Sequence, residues 1–134
     1  MSKRAPRPAP RRDTAQRRAL RAAIEQADRP LSPGELLGAA QRDVPGLGLA
    51  TVYRTVRALV EEGWLAEVAL PGSPSRYEQA GKHHHHHFRC TLCDRVFEVD
   101  GCPPDLRALL PRGFRLESHD ITLTGRCASC ARRG

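Results

Sequence analysis

The stretch His83-His84-His85-His86-His87-Phe88-Arg89-Cys90-Thr91-Leu92-Cys93 decides how the rest of this chain is organised. It holds five of the six histidines and two of the five cysteines of the 134-residue sequence. Imidazole and thiolate are ligands that divalent transition metals prefer, so the stretch predicts metal binding. An expression-tag scar is the mundane alternative, but the run is internal and leads directly into a Cys-x-x-Cys motif.

The length allows one domain or two small ones, and the core of each half would be marginal by itself. A metal staple or a dimer interface is therefore expected. The sequence has no apolar run of about eighteen residues, so no membrane span is predicted. Its basic N-terminal segment is followed by no apolar stretch typical of a secretory signal. These features predict a cytoplasmic protein.

The formal net charge is +7, and much of it lies before the first acidic residue, Asp13. The basic residues of that segment are Lys3, Arg4, Arg7, Arg11 and Arg12. Because prolines are interspersed, residues 1–12 are predicted to be a disordered basic arm. Such an arm would also add phosphate contacts beside a DNA-binding module.

Residues 13–79 predict a winged helix-turn-helix domain. Apolar residues at helical spacing predict a helix from Thr14 that ends at Asp28-Arg29-Pro30, and Ser32-Pro33-Gly34-Glu35 reads as the capping box of a second helix. A third helix over 49–62 is followed by strands over 64–70 and 76–79 around a Pro/Gly/Ser turn. Three helices and a hairpin in this order are typical of the winged helix, whose second helix of the pair enters the major groove.

The third helix predicts a buried stripe and an exposed face. The stripe is Val52, Val56, Leu59 and Val60. The opposite face and its flanks are formed by Ala50, Thr51, Tyr53, Arg54, Arg57 and Ala58. Arginine can bond guanine bidentately, and tyrosine or alanine can pack on a thymine methyl, so this face suits DNA recognition. From the composition of this face alone, an ordinary solvated helix surface is the better interpretation. The hairpin that follows the helix makes a DNA-binding surface the better one.

The second half reads as a hinge and histidine-rich segment over 80–87, followed by a small α/β dimerisation domain over 88–134. A hairpin is expected from 88–91 and 95–99, a short helix over 103–110, and the longest strand over 114–123. The edge of that strand would be free to pair with a second copy, which predicts a homodimer. The fold class is therefore α+β.

Two Cys-x-x-Cys motifs predict a structural zinc site held by Cys90, Cys93, Cys127 and Cys130. Each motif turns two sulfurs towards one point, and two motifs together complete a tetrahedral Cys₄ site. A redox dithiol pair is the alternative, but it needs only one such motif. Cys102 is left over.

The histidines need a separate account. Because alternate residues of an extended segment face opposite ways, His85 and His87 can serve one site while His84 and His86 serve another. Residues within plausible reach are Glu78, Glu98, Asp105 and His119. Mixed imidazole and carboxylate ligation suits Zn²⁺, Mn²⁺ or Fe²⁺ without deciding among them.

Together these motifs resemble the ferric uptake regulator family over roughly residues 14–132. Gly48-Leu49-Ala50-Thr51-Val52-Tyr53-Arg54 is similar to the recognition-helix signature of that family. Arg76-Tyr77-Glu78, the histidine run, Cys90-x-x-Cys93, Ser118-His119 and Gly125-x-Cys127-x-x-Cys130 then follow in the family's order. The resemblance implies a homodimeric, metal-activated repressor with a winged helix and an α/β dimerisation domain, binding palindromic operators in double-stranded DNA.

The resemblance also implies site residues. The regulatory site between the domains matches Glu78, His85, His87 and Glu98. The second site matches His84, His86, Asp105 and His119, and the four knuckle cysteines match the structural zinc site. Controlled genes would be those of metal uptake and homeostasis, with Zn²⁺ favoured over Mn²⁺ and Fe²⁺ third.

The chain departs from the family pattern at two places. Iron and peroxide sensors usually have a histidine where Pro30 stands, and zinc sensors usually have a cysteine where Ala80 stands. The regulatory site is therefore one ligand short of either pattern, and the sequence offers no basis for choosing between Cys102 and Glu67 to complete it.

Three other functions compete with this prediction. A peroxide-sensing repressor of the same family is the nearest one. A metal storage protein or metallochaperone would explain the histidines but not the winged helix. A metal-dependent hydrolase would need a positioned general base, and the signatures of that class are absent, so we expect no enzyme.

Overall fold

The computed structural model describes the chain from Thr14 onwards, and its first described helix follows directly. The described residues are 14–133, so the predicted basic arm at 1–12 lies outside them. Helix α1 spans Ala15–Ala27 and is capped by the Thr14 hydroxyl, which accepts the Arg17 N–H at 3.2 Å. It ends at Asp28, a residue in the left-handed conformation. This confirms the predicted first helix.

Helices α2 and α3 also follow the sequence prediction. Helix α2 spans Pro33–Ala40 and opens with a complete capping box between Ser32 and Glu35. Helix α3 spans Leu49–Glu61. Its buried side chains include Val52, Val56 and Leu59, as predicted. Ala58 is buried as well, which corrects its expected place near the exposed face, whereas Val60 is only half-buried.

An antiparallel hairpin completes the N-terminal half. Strand β1 spans Leu65–Leu70 and strand β2 spans Ser73–Gln79, with Leu65 opposite Gln79 and Val68 opposite Arg76. The three helices and the start of this hairpin share one apolar core, whose fully buried members include Leu20, Leu36, Val52 and Leu59. The hairpin is therefore fixed to the helices, and this sets the position of the residues near the end of β2.

The C-terminal half contains a three-stranded sheet in the order β4-β3-β5. Strand β3 spans His86–Cys90, β4 spans Val96–Val99 and β5 spans Thr122–Gly125. Strands β3 and β4 are antiparallel, and β3 and β5 are parallel. A short helix, α4, spans Ala128–Ala131. The strand that carries the histidines is thus the central one.

Two of the elements predicted for this half from the sequence are wrong. The strand expected over 114–123 is confined to Thr122–Gly125, and Phe114 is 67% exposed. A strand needs a neighbour to bond to, and β3 pairs with this segment only from His87 opposite Thr122 to Cys90 opposite Gly125. The helix expected over 103–110 is a single 3₁₀ turn, Leu106–Leu109, because each proline keeps the residue before it, Cys102 or Pro103, out of the helical conformation.

The two halves meet at the hairpin. Val68 and Leu70 of β1 pack with fully buried Val96 of β4. Arg76 of β2, 2% exposed, reaches the turn after Cys93, where its guanidinium donates to the Asp94 carbonyl at 3.0 Å and to Asp94 Oδ2 at 2.9 Å. Asp94 has a φ of 62°, a strained position for a non-glycine residue, and Arg89 Nε also donates to it at 2.8 Å. No helix among residues 14–133 is long and apolar enough to cross a membrane.

The capping box predicts a measurable contribution to stability. Replacing Ser32 with alanine removes the acceptor of the Glu35 N–H, 3.1 Å away. We expect Ser32→Ala to lower the free energy of unfolding by about 1 kcal/mol. Urea unfolding followed by circular dichroism measures it, and Ser32→Asp, which keeps an acceptor, should stay close to the wild type. Equal losses in both variants would argue against the cap.

Candidate metal centres

The joint between the two halves brings one carboxylate against two histidines. Glu78, near the end of β2, is buried, and its Oε1 lies 2.8 Å from His85 Nε2. His87 Nε2 lies 3.3 Å from Glu78 Oε2. The ligand atoms of these three residues all lie within 4.8 Å of one another, so they could hold one metal ion. This pairing of His85 with His87 follows the alternation that the sequence predicted.

The second nitrogen of His85 orients the ring. Its Nδ1 lies 2.8 Å from the carbonyl oxygen of His83 and donates to it, which leaves Nε2 as the nitrogen facing Glu78. Histidines that bind metals usually donate their other N–H to such an acceptor. The backbone of the histidine run therefore holds His85 in a tautomer suited to ligation.

Charge compensation explains the titration of this group. Burial acts to raise the pKa of Glu78, but hydrogen bonds from His87 and His85 outweigh it and leave the pKa below its ordinary value. Burial likewise acts to lower the pKa of His85, but the His83 carbonyl and the Glu78 carboxylate raise it overall. The carboxylate is held ionised and the ring favours a cation, so a metal ion would take the place of a proton here.

Glu98 of β4 completes the surroundings of this group. Its Oε1 lies 3.4 Å from His85 Nε2 and is a buried oxygen with no hydrogen-bond partner in the described part of the chain. Its other oxygen faces Lys82 Nζ at 3.4 Å. A buried carboxylate oxygen without a donor is costly, and a metal ion would satisfy it. The donor set of Glu78, His85, His87 and Glu98 therefore fits a divalent cation.

Four cysteines meet at the end of the second sheet. Their sulfurs all lie within 4.8 Å of one another, and they are Cys90, Cys93, Cys127 and Cys130. Cys93 Sγ and Cys127 Sγ are 3.9 Å apart, close to the edge of about 3.8 Å that Zn–S bonds of about 2.3 Å give a tetrahedron. The two motifs are tied together by Thr91, whose N–H donates to the Gly125 carbonyl at 2.7 Å.

The four thiols cannot all ionise without a cation between them. The backbone N–H groups of Cys93 and Cys127 lower the pKa of Cys90 to about 6. Burial and the neighbouring sulfurs raise the pKa of Cys130 to about 12. All five cysteines are free thiols in the structure. The arrangement fits a dication bound by four thiolates and leaves no open ligand position for catalysis.

A third group lies on the opposite face of β3 from His85 and His87. It contains His84, His86, Cys102 and His119, whose ligand atoms also lie within 4.8 Å of one another. The structure thus brings together the three histidines that the sequence predicted for a second site. It does not bring Asp105 into this group, and Cys102 is there instead. Sequence reasoning missed Cys102 here, although a cysteine left over from the two motifs was a signal.

The candidate DNA surface lies on α3, away from all three groups. Tyr53 is 53% exposed, and the remaining predicted contact residues, Ala50, Thr51, Arg54 and Arg57, are exposed or half-buried. Arg54 Nη2 donates to Thr51 Oγ1 at 3.2 Å, which aligns the guanidinium along the exposed face. The face is therefore available to a partner.

Comparison with known proteins gives consistent results. The sequence profile of the ferric uptake regulator family matches residues 10–124. The ferric uptake regulation protein of Bacillus subtilis is 31% identical over 124 residues, spanning 87% of this chain and 83% of that protein. That of Campylobacter jejuni is 30% identical over 122 residues, spanning 87% and 78%. The solved structure of a zinc-bound manganese uptake regulator matches with a TM-score of 0.75 at 30% identity, over 87% of this chain and 91% of that one.

The four-cysteine group predicts a tightly held zinc ion. We expect the isolated protein to retain one zinc ion per chain after dialysis against a mild chelator, and Cys90→Ser to lose it. Structural zinc sites supply on the order of 10 kcal/mol of folding free energy, so the variant should lose the cooperative unfolding of its C-terminal half. Atomic absorption and thermal unfolding measure both effects.

The matched control for this experiment is Cys102→Ser. It removes a thiol outside the four-cysteine group and should retain the chelator-resistant zinc. Retention of that zinc by Cys90→Ser, or its loss from Cys102→Ser, would contradict the assignment.

Proposed function

The chain belongs to the ferric uptake regulator family, and from that premise we propose that it is a zinc-responsive, homodimeric repressor of metal-homeostasis genes. Members of this family are transcriptional regulators of metal or peroxide response and not enzymes. The proposal assigns the sensing of metal to Glu78, His85, His87 and Glu98, the structural zinc to the four-cysteine group, and operator contacts to the exposed face of α3.

One observation carries the proposal. The group around Glu78 draws its ligands from both halves of the chain, because Glu78 stands on the hairpin of the DNA-binding half, His87 lies in the sheet of the other half and His85 directly precedes that sheet's central strand. An ion bound there fixes the orientation of one half on the other. If only one orientation lets two recognition helices reach successive half-sites, metal stabilises the DNA-competent state by its differential affinity for that state.

The donor set favours zinc over the other candidate ions. Two imidazoles and two carboxylates make a four-ligand set of nitrogen and oxygen, which suits the tetrahedral geometry of Zn²⁺. Affinity for such sites rises from Mn²⁺ through Fe²⁺ and is higher again for Zn²⁺. Manganese is the second candidate because carboxylate oxygens, which make up half of the set, are ligands that suit it, and iron is the third.

Peroxide sensing by oxidation of a histidine at the start of α2 finds no support in this chain. Pro30, a fully buried residue without a ligand atom, stands at that position. Ala80 likewise offers no ligand where zinc sensors of the family usually have a cysteine. Glu98 supplies the fourth donor in this proposal, and neither Cys102 nor Glu67 is needed.

A surface on the C-terminal half supports self-association. Large apolar side chains are exposed there, among them Leu109, Phe114, Leu116 and Leu123. Large apolar side chains exposed in this number on a small domain are typical of an interface between protein chains. A second copy that pairs along residues 114–121 would cover these side chains and give the segment the neighbour it lacks. A repressor of this kind acts in the cytoplasm.

A metal storage protein or metallochaperone is the candidate function of another class. It would use the same histidines and cysteines but would need no exposed helix face shaped for DNA. Absence of sequence-specific DNA binding at every metal tested would favour it over the repressor.

One prediction of the proposed function concerns metal-dependent affinity for DNA. An operator can be selected from a random-sequence duplex library by the zinc-loaded wild-type protein. At fixed salt we expect Zn²⁺ to raise affinity for it by about 5- to 150-fold, and Mn²⁺ and Fe²⁺ by less. His85→Ala should lose most of the increase because it removes the proposed metal ligand that lies next to both Glu78 and Glu98.

His83→Ala is the matched control for that measurement. The His83 side chain is 80% exposed and lies 3.4 Å from Asp100, so its loss leaves the site intact. Its backbone carbonyl, which orients His85, is unchanged by the substitution. Equal operator affinity in all variants and with all metals would overturn the proposal, and a larger effect of Mn²⁺ than of Zn²⁺ would reassign the metal.

A second prediction concerns the face of α3. Arg54→Ala should weaken operator binding by about 1–3 kcal/mol and relax the preference at one base pair, if Arg54 reads a guanine edge. Arg107→Ala removes the same charge from the 3₁₀ turn of the C-terminal half and should change affinity little. Similar losses in the two variants, with base preference retained, would show that Arg54 acts only through its charge.

A further inference from the structure

We propose that Cys102, and not Asp105, completes the second metal site, so that His84, His86, His119 and Cys102 bind Zn²⁺ through three imidazoles and one thiolate. This inference concerns ligation at the face of β3 away from Glu78. It stands whether or not the Glu78 group controls DNA binding.

The distances within the group match a small tetrahedral site. His84 Nε2 and His119 Nε2 are 3.0 Å apart. Cys102 Sγ lies 3.3 Å from His86 Nε2 and 3.4 Å from His119 Nε2. A zinc ion with Zn–N bonds of about 2.0–2.1 Å and a Zn–S bond of about 2.3 Å spaces its nitrogens by about 3.4 Å and nitrogen from sulfur by about 3.6 Å. The three observed distances differ from these values by only a few tenths of an ångström.

The backbone around Cys102 explains why the thiol and not the carboxylate reaches the histidines. Gly101 has a φ of +92°, a conformation that other residues rarely adopt, and it turns the chain so that the Cys102 side chain faces β3. Pro103 and Pro104 follow, and each proline holds the residue before it extended, so the chain runs on through Cys102 and Pro103 before it turns at Pro104 and Asp105. Asp105 is thereby carried away to an exposed position at the start of the 3₁₀ turn.

His86 has a role distinct from that of the other ligands. The backbone N–H of Ile121 donates to its Nδ1 at 3.2 Å, so a neutral His86 ring carries its proton on Nε2, facing Cys102 Sγ. Ligation through Nε2 requires that proton to leave and the Ile121 contact to open. His84, Cys102 and His119 are therefore the core of the site, and His86 is its fourth and weakest ligand.

A thiolate in place of a carboxylate changes which ions the site accepts. Carboxylate oxygens suit Mg²⁺, Ca²⁺ and Mn²⁺, whereas a thiolate beside imidazoles selects softer ions such as Zn²⁺. The site thus discriminates against Mn²⁺ more strongly than the thiol-free group around Glu78 does. Cys102 is in this sense a specificity-determining ligand.

The arrangement of the five cysteines makes the thiolate directly observable. Four of them form the separate group around Cys90, and the Glu78 group contains no sulfur. With zinc kept in the four-cysteine group, Co²⁺ added to the protein can form a cobalt–sulfur bond only through Cys102. We expect a near-ultraviolet thiolate-to-cobalt charge-transfer band equivalent to one such bond per chain, removed by added Zn²⁺ and unaffected by equimolar Mn²⁺.

Variants separate the ligands. Cys102→Ser should lose the band, Asp105→Asn should keep it, and His86→Gln should weaken cobalt affinity without abolishing the band. Zinc should also protect Cys102 from alkylation by iodoacetamide, measured by mass spectrometry, whereas Mn²⁺ should not. Zinc analysis of the same samples confirms that the four-cysteine group kept its ion.

Two results would overturn the inference. One is a wild-type spectrum without the charge-transfer band while the four-cysteine zinc is retained. The other is loss of the band in Asp105→Asn with its retention in Cys102→Ser. Neither outcome depends on DNA, so failure here is distinct from failure of the repressor function.

Discussion

The contact of Glu78 with His85 and His87 is the constraint on which the rest of this structure depends. A carboxylate buried at a joint between two halves is costly unless positive charge or hydrogen-bond donors face it. The two imidazoles supply part of the compensation that Glu78 needs. The buried oxygen of Glu98, which has no hydrogen-bond partner in the described part of the chain, needs compensation as well. A divalent cation would therefore stabilise the joint more than hydrogen bonds alone. The folding of each half positions the ligands on one side of the group.

Strand β3 distributes the chemistry of the chain. Its central place between β4 and β5 fixes the directions of His86 and His87, and the alternation continues into His84 and His85 just before the strand, so odd and even histidines reach different groups. One face meets the hairpin and Glu78, and the other meets His119 and Cys102. The strand then ends at Cys90, the first sulfur of the four-cysteine group. A one-residue slip in the register of β3 would exchange the two histidine sites and detach both from their partners.

Features that depend on residues close together in the sequence could be predicted, whereas contacts between distant residues could not. The capping box of α2 and the alternation of the histidines depend on neighbours a few residues away, so patterns in the sequence were sufficient. The segment 114–121 was predicted as strand from its composition, but strand structure depends on a neighbour that this chain does not provide. The resemblance assigns Asp105 to the second site, whereas the turn at Gly101 and the two prolines that follow decide which side chain reaches the histidines. The contact of Arg76 with Asp94 joins residues eighteen positions apart and had no sequence signal.

That contact has a mechanical consequence for the joint. Arg76 and Glu78 stand two residues apart on β2, so their side chains leave the strand on the same side about 7 Å apart. The guanidinium, held by a carboxylate and a carbonyl of the turn at Asp94, pins the hairpin to the second half at one point. The packing of Val68 and Leu70 on Val96 is a second attachment between the same two bodies. An ion at Glu78 thus has no translation to remove and only the remaining rotation of one half on the other, a far smaller loss of entropy than docking two untethered bodies.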